Sequence, residues 1–304
     1  HHNIIDGDTE KAFKECDHIV EGEFYMGGQE HFYFETQGSL AVPGEDDEVQ
    51  IYSSTQNPSK TQMKVAGVLG VPGNRVVCKV KRMGGGFGGK ETRSIYISCA
   101  VALAAHKLRR PVRMMLDRNE DMYSSGGRHP FFYQYKVGFT KEGKLIALEA
   151  KLYANAGCTP DLSVAVGDRA LFHVDNAYKI PNVTAHVRLC KTNTTSNTAF
   201  RGFGGPQGMM LAETYINHVA EFLNKPVNDI RALNFYQEGE KTHYLQAFTN
   251  NTLQRVWNET LQLSQHAKLI EEVEKFNKNS RFVKRGVACV PVKFGMSFTA
   301  KFMN

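Results

Sequence analysis

MGGGFGGKE, Met83 to Glu91, and FRGFGGPQG, Phe200 to Gly208, are the stretches on which the fold turns. Each carries Phe-Gly-Gly ahead of a segment of helical character: Phe87-Gly88-Gly89 in the first and Phe203-Gly204-Gly205 in the second. Lacking Cβ, glycine reaches positive φ and lets main-chain N–H groups come close to a ligand. A helix that follows adds the positive end of its dipole. Nine of the chain's 27 glycines fall in these two loops. One such loop could serve only tight strand-to-helix packing, whereas two similar loops imply two similar jobs.

Working outward, Arg75 to Val80 (RVVCKV) alternates as a strand before the first loop, and the Ala-rich run Thr92 to Leu108 predicts a helix after it, stopping before Pro111. After the second loop, Pro206 to Leu223 has a first-turn proline and an i, i+3, i+4 apolar stripe. Val49 to Ser53, Phe132 to Phe139 and Leu145 to Ala154 read as further strands, the last two joined by a Glu142-Gly143 hairpin turn. Ser59 to Leu69, with Ser59 as cap after Pro58 and Gly70 as stop, reads as a helix, as do Val227 to Asn234 and Leu253 to Phe276. The expected class is α+β (mixed α/β): mixed sheets with flanking helices and two strand–Gly-loop–helix cofactor-binding units.

Two generic nucleotide patterns also fit the first loop, G-x-G-x-x-G (Gly84, Gly86, Gly89) and G-x-x-x-x-G-K (Gly84, Gly89, Lys90). A phosphate-binding P-loop needs Ser or Thr after the lysine, and here Glu91 would repel phosphates. A dinucleotide site would take Asp117 as its ribose acid but leaves the second loop unexplained. The 304 residues, 41% hydrophobic, form a globular composition with no run of about 18 apolar residues to span a bilayer. The formal charge of +6 comes from 37 basic residues dispersed among 31 acidic ones, without the clustered stripe that nucleic acid requires. Six cysteines lie far apart with no C-x-x-C pair, which argues for a reduced compartment and against a zinc ribbon or a disulfide scaffold. The polar opening HHNIIDGDTEKAF has no initiator Met and no charged-then-apolar leader, so the expectation is a mature piece or a fragment without a secretory signal.

GQEHFYFET (Gly28 to Thr36), SSTQNP (Ser53 to Pro58), KRMGGGFGGKETR (Lys81 to Arg93), MLDRNEDM (Met115 to Met122), GGRHPF (Gly126 to Phe131), SNTAFRGFGGPQG (Ser196 to Gly208) and KFGMSFT (Lys293 to Thr299) occur in that order. Together they resemble the molybdopterin-binding region of the xanthine dehydrogenase/oxidase family of molybdenum hydroxylases, from Asp6 to Asn304. The resemblance implies a first molybdopterin-binding domain at 1–265 and the start of a second at 266–304. It implies oxidation of hypoxanthine or xanthine to xanthine or urate, with oxygen from water and hydride passing to the molybdenum sulfido ligand. An aldehyde oxidase acting on aldehydes and N-heterocycles, and a catalytically silent fragment or paralogue, are the alternatives.

By the same resemblance Gln56, Gly86, Phe87, Gly88, Arg201 and Gly202 would bind the cofactor, with Gln56, Phe87 and Arg201 beside the metal. Glu91 and Arg169 would hold opposite ends of a purine and act in catalysis, Phe203 and Phe298 would sandwich its ring, and Thr299 would add a polar contact. Aldehyde-oxidising relatives generally replace the two charged residues, so retention of both favours a purine. His31, His106, His129 and His173 lack metal-ligand spacing and read as structural or surface residues. Two [2Fe-2S] clusters and FAD, passing electrons to NAD or oxygen, would belong to segments before residue 1. A catalytic glutamate, in a V-G-E-P-P type segment, would lie beyond Asn304, so this segment alone is expected to be inactive. The resemblance further implies a cytoplasmic or peroxisomal homodimer that binds neither nucleic acid nor membrane.

Overall fold

The computed structural model describes residues 2–295. In chain order these form β1 (His2–Asp6), α1 (Thr9–Glu15), β2 (His18–Met26), β3 (Gly38–Pro43), β4 (Val49–Ser53), α2 (Pro58–Leu69), β5 (Val76–Lys79), α3 (Ile95–Leu108), β6 (Val112–Met115), α4 (Arg118–Ser125), β7 (Phe131–Phe139), β8 (Leu145–Gly157), α5 (Ser163–Leu171), β9 (Asn182–Lys191), α6 (Gly205–Phe222), α7 (Val227–Leu233), α8 (Leu253–Leu263) and α9 (His266–Asn279). The mixed class is as expected.

Two mixed sheets organise them, in the strand orders β1-β9-β8-β7-β2 and β5-β4-β3-β6. Each has a single parallel pair, β8 with β9 and β4 with β5, and is otherwise antiparallel. A parallel pair requires a crossover, and α5 and α2 lie in those two connections. The larger core joins the inward faces of β7 and β8 (Tyr133, Val137, Leu148, Leu152) to the α6 stripe Leu211, Tyr215, Ile216 and Val219. A smaller core packs Ala41, Ile51 and Val76 against Val65 of α2 and Val101, Ala102 and Ala105 of α3. The alanines of α3 let that helix lie close to its sheet. The first glycine loop therefore springs from the smaller unit and the second from the larger.

Boundaries follow the punctuation in the sequence, with exceptions. The β7–β8 turn uses Gly143 at φ +99, and α2 stops at Gly70 at φ +70. The cap of α2 is Asn57, whose side chain accepts from the Lys60 amide, and not Ser59. Pro58 has no N–H and a helix-ready φ, so it takes the first turn and leaves capping to the residue before it. Helix α3 begins at Ile95 and not at Thr92, because residues 88–94 run in turns, with the Ser94 hydroxyl donating to Thr55 Oγ1. Only the second Phe-Gly-Gly thus adjoins a helix start. The single helix expected over Leu253 to Phe276 is two, broken where Gln265 takes φ +49. All six cysteines are free. Among the described residues no helix is long and apolar enough to cross a membrane.

Candidate cofactor site

Both Phe-Gly-Gly loops close the same turn. The Gly89 amide donates to Gly86 O at 2.8 Å, and the Gly205 amide donates to Gly202 O at 2.8 Å. The central φ angles match as well: +52 and +99 at Phe87 and Gly88, +48 and +98 at Phe203 and Gly204. Two successive positive φ values are the mark of a type I′ turn. Phenylalanine in that region is strained by about 1–3 kcal/mol, which the surroundings must offset.

Those surroundings are polar and largely buried. Below the first turn, Gln37 Nε2 donates to Gly89 O (2.9 Å) and to Tyr33 OH (3.1 Å), while Tyr33 OH and the Gln37 amide both donate to Asp121. Glu35 Oε2 accepts from the Gly84 amide and the Ser54 hydroxyl, each at 2.7 Å. The Lys90 side chain is fully buried, and its ammonium donates to Glu35 O, Ser54 Oγ and Glu35 Oε2. Consumed by internal acceptors, Lys90 does not serve as the lysine of a P-loop.

The two turns meet. The Arg201 amide donates to Phe87 O at 2.9 Å, and a Cβ on Gly88 would lie 2.5 Å from Ala199 O. His31 spans the seam: its ring lies against Gly89, its Nε2 donates to Ala199 O at 2.7 Å, and it stacks on Phe200 with centroids 4.5 Å apart. The Arg128 guanidinium also lies over the Phe200 ring, 4.2 Å from its centroid, and donates to Arg201 O, Gln29 Oε1 and Gln207 Oε1. Asp161 ties the units again, accepting from the Thr92 and Thr198 hydroxyls. Sequence reasoning did not assign these fastening roles, because nothing local in HFYFET or GGRHPF tells which distant backbone the side chain will reach.

Gln56 lies on the first turn. Its Oε1 accepts from the amides of Gly88 (2.9 Å) and Lys90 (3.2 Å), and a Cβ on Gly86 would strike that same oxygen at 2.6 Å. With the oxygen committed, the side-chain NH₂ is directed elsewhere, and among the described residues it has no acceptor; nor have the main-chain amides of Gly86 and Phe87. This is a set of neutral donors beside glycines that admit close approach. It fits an oxo-bearing group that must be hydrogen-bonded without being given a counter-charge. Arg201 adds an exposed guanidinium, and Gly202 closes the second turn at φ +92.

The expected substrate residues divide between the two loops. Glu91 follows the first, half-buried, its amide donating to Gly88 O, and its carboxyl is pushed up by burial and by the nearby Asp161. Arg169 is buried in the last turn of α5, beneath the second loop, where a Cβ on Gly204 would meet Val166 O at 2.1 Å and Arg169 Cβ at 3.1 Å. Phe203 is half-buried at the first of the two positive-φ positions of the second turn. Phe298 and Thr299 lie outside the described residues.

His31, His129 and His173 are buried, and no group of metal-ligating side chains forms among the described residues. Burial lowers His129 to about 4; burial, then Lys293 and Arg169, lower His173 to about 3. Each has a buried Nδ1 without a partner, so protonation would create an unpaired internal cation. The unfolded rings would take up protons near 6.5, so stability is full above that value and falls as the pH drops toward 4. Each ring costs about 1.4 kcal/mol per pH unit in that window. A denaturant midpoint that stays flat from about pH 7.5 to 5 would contradict this.

A family model described as the molybdopterin cofactor-binding domain matches residues 1–235. Xanthine dehydrogenase of Dictyostelium discoideum is 54% identical over 303 residues, covering 100% of this chain, and xanthine dehydrogenase/oxidase of Rattus norvegicus is 56% identical over 302, covering 99%. The chain spans only 22% and 23% of the length of these curated relatives. Among solved structures, the aldehyde oxidoreductase of Desulfovibrio gigas superimposes with a TM-score of 0.81 at 28% identity, covering 90% of this chain and 30% of that one. Quinoline 2-oxidoreductase of Pseudomonas putida 86 shares the fold, with a TM-score of 0.81 at 22% identity over 91% of this chain and 36% of that one.

Proposed function

Because this chain belongs to the family of molybdopterin cofactor-binding domains, we propose that it is the front part of the molybdenum site of a hydroxylase that oxidises hypoxanthine and xanthine. The observation that carries this is the junction of two like turns, Arg201 N–H to Phe87 O, with the exposed Gln56 side chain beside it, whose NH₂ has no acceptor among the described residues. When bound, the cofactor supplies a two-electron oxidation that delivers oxygen from water to an electron-poor carbon.

The chain's own residues do the rest. Gln56 and the Gly86 and Phe87 amides would hydrogen-bond the cofactor from the first turn, and Arg201 and Gly202 would hold it from the second. Arg169, a planar fixed cation, stabilises negative charge developing on a purine oxygen, where a pre-oriented donor acts most strongly. Glu91 binds the ring heteroatoms at the opposite end. Phe203, with Phe298, orients the flat ring and excludes water. The remaining polypeptide contributes two [2Fe-2S] clusters and FAD, from which electrons pass to NAD or oxygen, with 1–265 as one molybdopterin domain and 266–304 opening the next. The assembly is a homodimer in the cytoplasm or peroxisome, and the 304-residue piece alone turns over no substrate.

Gln56→Glu in the full-length polypeptide tests the reading. The variant keeps the oxygen that Gly88 and Lys90 hold but replaces the NH₂ donor with a charge. Molybdenum bound per protein is expected to fall by about tenfold, the size of a lost outer-sphere hydrogen bond. Full molybdenum loading would refute the assignment. Full-length protein that oxidises benzaldehyde and not xanthine would instead favour the aldehyde reading, to which the Desulfovibrio gigas structure lends its likeness.

A further inference from the structure

After α9 the chain returns across the larger unit and reaches Arg169. Its path is pinned by a buried ion pair: Lys293 Nζ lies 2.5 and 2.6 Å from the two oxygens of Asp175, whose side chain is fully buried. Tyr236 OH donates to the same carboxylate at 2.8 Å, and His243 lies alongside with Nδ1 3.3 Å from Oδ2. Asn176 secures the backbone, donating to Pro291 O and accepting from the Lys293 amide. The next two residues then serve Arg169. Its guanidinium sits 4.5 Å from the Phe294 ring centroid, and its Nη2 donates to Gly295 O at 2.7 Å. Phe294 stacks on His173, with its edge against Gly205 of the second turn.

A buried ion pair adds little net stability over an apolar replacement, since desolvation cancels most of the attraction; what it can supply is a fixed geometry. We propose that Asp175 and Lys293 are a positioning pair for Arg169: they hold the strap 291–295 so that its ring and carbonyl aim the guanidinium at the substrate. This rests on the reading that Arg169 contacts the purine. The pair itself touches neither substrate nor cofactor.

The test uses Asp175→Asn, Lys293→Met, Lys293→Arg and Arg169→Met in the full-length enzyme, comparing kcat/KM for xanthine and benzaldehyde. Asp175→Asn and Lys293→Met should each lower the xanthine value about tenfold and the benzaldehyde value by less than about twofold, since small misplacement of an orienting group is that costly. Lys293→Arg should restore most of the loss. Adding Asp175→Asn to Arg169→Met should cost nothing further, because the two act through one group. Hydrogen exchange at the Lys293 amide should quicken in Asp175→Asn and not in Arg169→Met. Equal losses on both substrates, additive losses or unchanged exchange would overturn the proposal. If Asp175→Asn does not fold, Tyr236→Phe removes one hydrogen bond from the carboxylate and leaves the pair. It should shift the xanthine-to-benzaldehyde ratio in the same direction, and an unchanged ratio would overturn the proposal. If Arg169→Met keeps full xanthine turnover, the purine role of Arg169 fails, while the exchange measurement still decides whether the pair holds the strap.

Discussion

Gly88→Ala is expected to strip the full-length protein of molybdenum and to lower the stability of this segment by about 3 kcal/mol, the range of a substitution that combines strain with a core clash. Gly88 sits at φ +99, and a Cβ there would lie 2.5 Å from Ala199 O, 2.7 Å from Ala199 C and 3.0 Å from Phe200 N. All three are backbone atoms, so no flexible side chain can swing aside. Relief requires the two loops to part, and parting them loosens the Arg201–Phe87 hydrogen bond and the His31 bridge to Ala199. Gly67 in α2 is the control, since a Cβ there meets nothing within 4 Å and its φ is not positive. Gly67→Ala should stabilise by about 0.5–1 kcal/mol through reduced freedom of the unfolded chain. Urea midpoints and metal content check both. Gly88→Ala that unfolds with the wild-type midpoint and keeps its molybdenum would remove the basis for treating the seam as the cofactor cradle.

That contrast between two glycines marks how far the sequence can be read. Val49 to Ser53, the Glu142-Gly143 turn and the Gly70 stop were legible because local chemistry decides them: alternation for the strand, positive φ for the turn and the stop. The two Phe-Gly-Gly stretches were legible as a pair, and their shared φ values bear that out. Helices α1, α4 and α5 and strands β1, β2, β3, β6 and β9 were not identified. Arg169 and Asp168 are both buried in α5, although their type predicts solvent. The break at Gln265 has no sequence signal, since glutamine has no preference for positive φ. At the site, Gln56 could be named from its motif, but the acceptor role of its Oε1, which decides where the NH₂ points, appears only once Gly88 and Lys90 are folded onto it. The same holds for His31, Arg128 and Asp161, whose partners lie far along the chain and are brought to them only by the tertiary fold, a property that no single segment carries.

Glu91→Val should move the full-length enzyme from purines toward aldehydes, lowering kcat/KM for xanthine by about 100-fold, the scale of one lost charge-assisted contact in a water-excluded site. The position is suited to specificity because the carboxyl is half-desolvated, and burial followed by Asp161 raises its affinity for a proton. Benzaldehyde has no ring heteroatom for it to bind, so its turnover should hold or rise a few-fold. The sign for stability is the opposite of that for function. A carboxyl whose proton affinity rises on folding stabilises the fold fully only below its unfolded value, and that contribution is lost as the pH climbs through the raised one. At neutral pH Glu91 is therefore a burden on the fold, and the valine variant should unfold at an equal or higher urea concentration. Glu91→Gln separates charge from shape: xanthine kcat/KM should fall nearly as far as in the valine variant while benzaldehyde turnover holds, and the His129 and His173 acid transition of the fold should persist. Parallel losses on xanthine and benzaldehyde, or full xanthine turnover in Glu91→Gln, would show that Glu91 supports the loop and does not read the substrate.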